Sequence, residues 1–187
     1  MAEEDTSRKG FTLVEMLIVI VIIGVLAGLL LPMLLRIRRR ARSAECQNNL
    51  KQLYGALELY RNEHDGFYPS LAVLPTQEMD NRPSLREVLI DYAPNPKVFR
   101  CPMDTDGYFE REGASYQYFP RLAGQRVLAG RFAQALGSTR TPVFFDYEEF
   151  HGPQGTVGSR NFVFVDGHVG TSMDLDLDGF SDEGDEE

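Results

Sequence analysis

Apolar and polar positions alternate along this chain in three regimes. From Met16 to Leu35 twenty residues pass without a charge. At 1.5 Å rise per residue a helix of that length is about 30 Å long, the thickness of the hydrocarbon core of a bilayer. A secretory signal peptide has a shorter apolar core followed by a small-residue cleavage site. Here helix-forming residues continue to about Glu63, so the apolar run predicts the first half of one long helix. In the second half Cys46, Leu50, Leu53, Leu57 and Tyr60 recur at spacings of four, three, four and three, one helical face. That stripe predicts packing against a globular head, with Gly66 and Pro69 ending the helix.

The third regime is shorter and more mixed. "SLREVLIDYAP" opens with a capping box, Ser84 with Glu87, and predicts a short helix before Pro94. "VFRCPMDTDG" predicts an extended segment entering a turn, "SYQYF" and "TPVFFDY" predict strands, and Gln125 to Leu136 a weaker helix. "NFVFVDGHVGTSM" is the strongest hairpin signal, with Asp166-Gly167 suited to a two-residue type I′ turn. A long helix followed by strands predicts an α+β fold, a small antiparallel sheet on the amphipathic half of the helix. The expected divisions are 1–10 before the helix, 11–35 apolar, 36–65 amphipathic, 66–173 head and 174–187 tail.

Within the apolar run, Gly24 and Gly28 form a G-x-x-x-G pair that lets another helix approach, and Pro32 is expected to kink or locally melt the helix. Arg36, Arg38, Arg39, Arg40 and Arg42 follow the run. A positive-inside count alone puts the head in the cytoplasm.

The net charge is −9, but the last fourteen residues hold eight acids and neither Lys nor Arg, which accounts for nearly all of it. With no broad basic face, nucleic acid is not expected as a primary partner. The two cysteines, Cys46 and Cys101, form no C-x-x-C pair, which excludes a zinc ribbon or a thioredoxin-type site. No ligand spacing points to zinc among Cys46, Cys101, His151 and His168. There is no nucleophile elbow, Ser-His-Asp pattern or phosphate loop, so His64, His151 and His168 read as loop or strand residues and the chain as no enzyme.

"RKGFTLVEMLIVIVIIGVLAGLLLP" resembles the class III signal of type IV pilins and type II secretion pseudopilins: a charged leader ending in Gly, then Phe, an acid at the fifth mature residue, and an apolar helix with a Pro about twenty residues in. The resemblance implies that a prepilin peptidase cuts between Gly10 and Phe11 and methylates the amino terminus of Phe11. It also gives Glu15 a role. An acid in a bilayer costs on the order of 3 kcal/mol and demands a partner. In pilins that partner is the amino terminus of a neighbouring subunit, here Phe11, and the pair sets axial register. The other implied partners are copies of the same chain, minor pseudopilins and an inner-membrane assembly platform. The implied location is the inner membrane, crossed once, with the head in the periplasm or outside, against the positive-inside count.

The head is similar to a large bacterial subgroup of pilin-like proteins. Its marks are a Cys before "NNLKQ" on the helix, a C-P-x-D box ("CPMD"), a Ser-Tyr segment and a terminal "F-x-DGHV" box preceded by a His, here His151. A disulfide between Cys46 and Cys101, worth about 4 kcal/mol in the chain-entropy model, is expected; two buried thiols are the alternative.

In the tail, Asp174, Asp176, Asp178, Asp182 and Asp185 fall at positions 1, 3, 5, 9 and 12 of an EF-hand-type loop, with Gly179 at position 6 and Phe180 offering a carbonyl. The order also resembles thrombospondin type 3 repeats and predicts a Ca2+ loop. Position 12 is Asp rather than Glu, which predicts weak binding, roughly 10⁻⁴ to 10⁻³ M. The expected function is a filament subunit of a type II secretion pseudopilus. The alternative is a type IV pilus for adhesion, motility or DNA uptake.

Overall fold

A computed structural model describes residues 13–73, 76, 81–126, 137–156 and 158–171. The first helix, α1, runs Leu13–Glu63 and passes through Pro32 without a break, so the expected local melting is absent. The chain divides into two compact units, 1–41 and 42–187. In the first, the most apolar part of α1 has mean hydropathy 3.0 and none of it is buried. It is long and apolar enough to cross a membrane.

In the second unit the remainder of α1 buries Cys46, Asn49, Leu50, Leu53, Ala56, Leu57 and Arg61, the predicted stripe with its polar neighbours. Leu50, Leu53 and Leu57 are fully buried, each contributing about 1.5–3 kcal/mol by removal from water. Tyr60 lies at the margin, stacked on His64 with ring centroids 3.8 Å apart. The helix unwinds through Asp65 and Gly66, both with positive φ (52° and 79°), and the Gly66 N–H donates back to the Arg61 carbonyl at 2.8 Å.

The predicted capping box forms. In α2, Leu85–Leu89, the Ser84 hydroxyl accepts from the Glu87 N–H and the Glu87 carboxylate from the Ser84 N–H. A 3-10 turn at Pro96–Phe99 and extended Arg100 then lead to Cys101. A third helix, α3, Tyr108–Glu112, is not anticipated by the sequence, because "DTDG" reads as a simple turn. That turn is an N-terminal cap. The Asp104 carboxylate accepts from the N–H groups of Gly107, Tyr108 and Phe109 at 3.0, 3.2 and 2.9 Å, satisfying donors a helix start leaves open.

Strands β1 (Tyr116–Tyr118), β2 (Pro142–Asp146), β3 (Phe162–Phe164) and β4 (Val169–Gly170) form an antiparallel sheet in sequence order. Tyr116 pairs with Asp146, Tyr118 with Phe144, and Phe144 with Val163; all are buried, and the apolar ones share the core that the α1 leucines enter. The fold is therefore α+β, a long helix with a small antiparallel sheet. The hairpin differs from expectation in its turn. Gly167 alone has positive φ (84°), whereas a type I′ turn needs two such residues. Gly167 N–H donates to the Phe164 carbonyl at 2.8 Å and Phe164 N–H to the His168 carbonyl at 3.0 Å. They enclose a three-residue loop, Val165 to Gly167, of the kind that ends in a glycine bulge. The expected helix from Gln125 falls almost wholly on 127–136, outside the described residues.

Candidate functional site

Glu15 lies in the first turn of α1, followed by apolar side chains that stay exposed as far as Ile37. A Cβ added at Gly24 or Gly28 would meet nothing within 4 Å. A soluble monomer rarely exposes so long an apolar surface; such a surface marks a membrane or a helix partner. Gly10 and Phe11 lie outside the described residues, as do Asp174, Asp176, Asp178, Phe180, Asp182 and Asp185 of the tail.

The second candidate lies where α1, the C-P-x-D box and β2 converge. Cys46 projects from the buried stripe of α1 and Cys101 from the turn after Arg100. Asp146 ends β2 and His151 follows in the next loop. The two sulfurs, the carboxylate and the imidazole lie within 4.8 Å of one another. All are sealed: Cys46, Cys101 and Asp146 are 0% exposed and the His151 side chain 2%.

The contacts are specific. Cys46 Sγ donates to Asp146 Oδ1 at 3.3 Å and accepts from the Tyr116 hydroxyl at 3.4 Å and Asn161 Nδ2 at 3.6 Å. Asp146 Oδ2 accepts from the Asn161 N–H at 2.7 Å and lies 3.2 Å from His151 Nε2, which is 3.5 Å from Cys101 Sγ. His151 Nδ1 has no partner among the described residues, so Nε2 and the backbone alone orient the ring.

Cys46 and Cys101 stand as free, buried thiols, the alternative to the expected disulfide. Each sulfur is instead engaged by polar groups of the sheet and its loops. Burial, with the neighbouring Cys101 and the Asp146 charge, pushes the Cys46 thiol far up. The hydrogen bond with Cys46 brings Cys101 down to about 7 despite burial, helped by His151. Burial pulls His151 down, but its hydrogen bonds to Asp146 and Cys101 outweigh that and raise it to about 9. Cys, His and Asp together invite comparison with a thiol-protease triad, but the wiring differs. Asp146 and Cys101 meet the same ring nitrogen, whereas a relay uses opposite ones. The thiols are also closed to any substrate. Two thiols, an imidazole and a carboxylate can, however, hold a divalent metal.

The other marks of the head resolve into supports for this region. Asn49 of "NNLKQ" donates through Nδ2 to the Arg100 carbonyl at 2.9 Å, fixing the residue before Cys101. Ser115 of the Ser-Tyr segment donates to Asp104 of "CPMD" at 2.6 Å, while its neighbour Tyr116 reaches Cys46. His151 belongs to the cysteines. His168, by contrast, stacks on Phe164 at 4.3 Å and its Nδ1 lies 2.6 Å from Asp166 Oδ1, bracing the hairpin loop. Gly167 packs under the Tyr54 ring, whose hydroxyl donates to the Val165 carbonyl at 2.7 Å. The "DGHV" box therefore docks the hairpin on α1. His64 closes the end of α1, its Nδ1 2.8 Å from the Tyr60 carbonyl oxygen.

The prokaryotic N-terminal methylation motif matches residues 5–31. The type IV major pilin protein PilA of Myxococcus xanthus is 39% identical over 59 residues, 32% of this chain and 27% of that protein. The ComG operon protein 3 homolog of Bacillus licheniformis is 28% identical over 71 residues, 38% of this chain and 73% of that protein. The alignment thus spans about a quarter of the first relative's length. No solved structure matches. The chain thus carries an N-terminal methylation motif and is similar, over about a third of its length, to proteins named as a type IV major pilin and a ComG operon protein 3 homolog.

Proposed function

We propose that this chain is a non-enzymatic structural subunit, cut by a prepilin peptidase between Gly10 and Phe11, methylated at Phe11, and assembled with copies of itself through α1. The observation that carries this reading is the apolar half of α1, exposed along its length and opened by an acid in its first turn. Such a surface is satisfied by lipid before assembly and by neighbouring helices after it. An acid in that setting needs a cation, and the amino terminus of Phe11 on the next subunit supplies one. The head would then stand in the periplasm or outside.

We read the filament as a type II secretion pseudopilus, built with minor pseudopilins on an inner-membrane assembly platform; the calcium-type tail, which would stabilise the head, favours this form. A second reading, a type IV pilus, is favoured by similarity to a protein named as a type IV major pilin. The test is Glu15→Ala in the native host, with filaments counted by electron microscopy of sheared cells. Membrane insertion and cleavage should persist while filaments fall below detection. Normal filaments would remove the proposed role of Glu15. Loss of secreted proteins, rather than of adhesion or motility, separates the two filaments.

A further inference from the structure

We propose that Cys46, Cys101, Asp146 and His151 form a structural zinc site that fastens α1 to the sheet. The donor types come first. Two thiolates and an imidazole suit a borderline-soft ion and are poor ligands for calcium or magnesium; with one carboxylate they make a four-coordinate set of the kind zinc accepts.

Geometry agrees. With Zn–S of about 2.3 Å and Zn–N and Zn–O of about 2.0 Å, a tetrahedron has edges of about 3.5 Å between sulfur and oxygen or nitrogen and about 3.3 Å between nitrogen and oxygen. The observed separations are 3.3 Å from Cys46 Sγ to Asp146 Oδ1, 3.5 Å from Cys101 Sγ to His151 Nε2, and 3.2 Å from His151 Nε2 to Asp146 Oδ2. These three separations, the two to Asp146 made through its two different oxygens, match edges of a zinc tetrahedron, and the four side chains offer ligand atoms that all lie within 4.8 Å of one another.

The surroundings suit a metal thiolate. The Tyr116 hydroxyl and Asn161 Nδ2 both aim hydrogens at Cys46 Sγ, and the Asn161 N–H aims one at Asp146. Outer donors of this kind orient ligands and spread their charge. Four protein ligands and near-complete burial leave no open position for a substrate, which marks a structural rather than a catalytic site. On binding, Zn2+ displaces the thiol protons of Cys46 and Cys101 and any proton on His151 Nε2. These pass to solvent, with no change of oxidation state. The ligands come from α1, the turn after Arg100, the end of β2 and the loop beyond it, so one ion joins segments far apart in sequence.

The test uses the full chain extracted in detergent from cells grown with zinc. Metal analysis should find stoichiometric zinc, and exchange with Co2+ should give the intense visible bands of a tetrahedral ion together with a thiolate-to-cobalt charge-transfer band. The acidic tail, which has no sulfur, cannot produce that band. Cys101→Ser and His151→Gln should abolish it, Asn161→Leu should weaken affinity roughly 10- to 100-fold, and His168→Gln and Asp176→Ala should leave it intact. The wild-type measurements hold even where a variant does not fold. A metal-free chain with no cobalt charge-transfer band would overturn the proposal. So would an unreduced chain lighter by two hydrogens, the mark of a Cys46–Cys101 bridge. Filament assembly is not read in any arm, so failure here is distinct from failure of the filament reading.

Discussion

Gly167→Ala tests how the hairpin is held on α1. Two penalties meet at this residue. Its φ of 84° is left-handed, where a Cβ crowds the following carbonyl at a cost of about 1–2 kcal/mol. That Cβ would also lie 2.8 Å from Tyr54 Cε1 and 3.2 Å from Cδ1, well inside van der Waals contact. The ring cannot swing away without releasing the bond from its hydroxyl to the Val165 carbonyl, so the overpacking adds about 1–3 kcal/mol. The expected total is about 3 kcal/mol. The chain has no tryptophan, so unfolding in urea can be followed by tyrosine fluorescence. At a slope near 2 kcal/mol per molar the midpoint should fall by roughly 1.5 M. A double-mutant cycle divides the effect: in a Tyr54→Ala background the substitution should cost only the backbone part, about 1–2 kcal/mol. Equal costs in the two backgrounds, or a loss under about 0.5 kcal/mol, would refute the account.

Three further outcomes are expected. Asp104→Asn weakens four hydrogen bonds to a carboxylate and should destabilise the head by about 2–3 kcal/mol in urea denaturation. Burial raises the Asp104 pKa, but the bonds from Ser115 and the start of α3 outweigh it and hold it below the ordinary value. Its stabilisation is therefore present above the unfolded carboxyl pKa, about 3.9, and lost as pH falls through the lower folded value; in the Asp104→Asn variant that part of the acid-unfolding curve should flatten. Ser84→Ala removes one arm of the α2 capping box and should cost about 1 kcal/mol by the same measurement. Calorimetry should detect weak calcium binding that Asp176→Ala abolishes; no heat from the unaltered chain would leave the tail without that role.

The elements legible in the sequence are those whose signals are local. The α1 stripe, the Ser84–Glu87 box and the strands around Tyr116, Phe144 and Val163 each follow from spacing or capping chemistry within a few residues. The start of α3 is not legible, because its cap, Asp104, sits four residues ahead of Tyr108 and is recognisable only once its carboxylate meets the helix N–H groups. The cysteine cluster is hidden for a similar reason. Metal-ligand spacing is a local signature, and these ligands come from positions 46, 101, 146 and 151. One sign is present: in "PVFFDY" the alternation that buries Phe144 also buries Asp146, and an acid on the inward face of a strand needs partners. The hairpin turn departs from expectation because Asp-Gly serves both a two-residue turn and a longer loop, and Tyr54, remote in sequence, packs against Gly167.

Among the described residues the sheet ends in β4, which is only two residues long. Unpaired strand edges invite other chains to add to them, and a polymerising protein holds its copies at high local concentration. So short a strand offers too few backbone groups at that end of the sheet to template growth. In the filament proposed above, order would thereby be left to helix against helix, and the heads could crowd together without fusing into a continuous sheet.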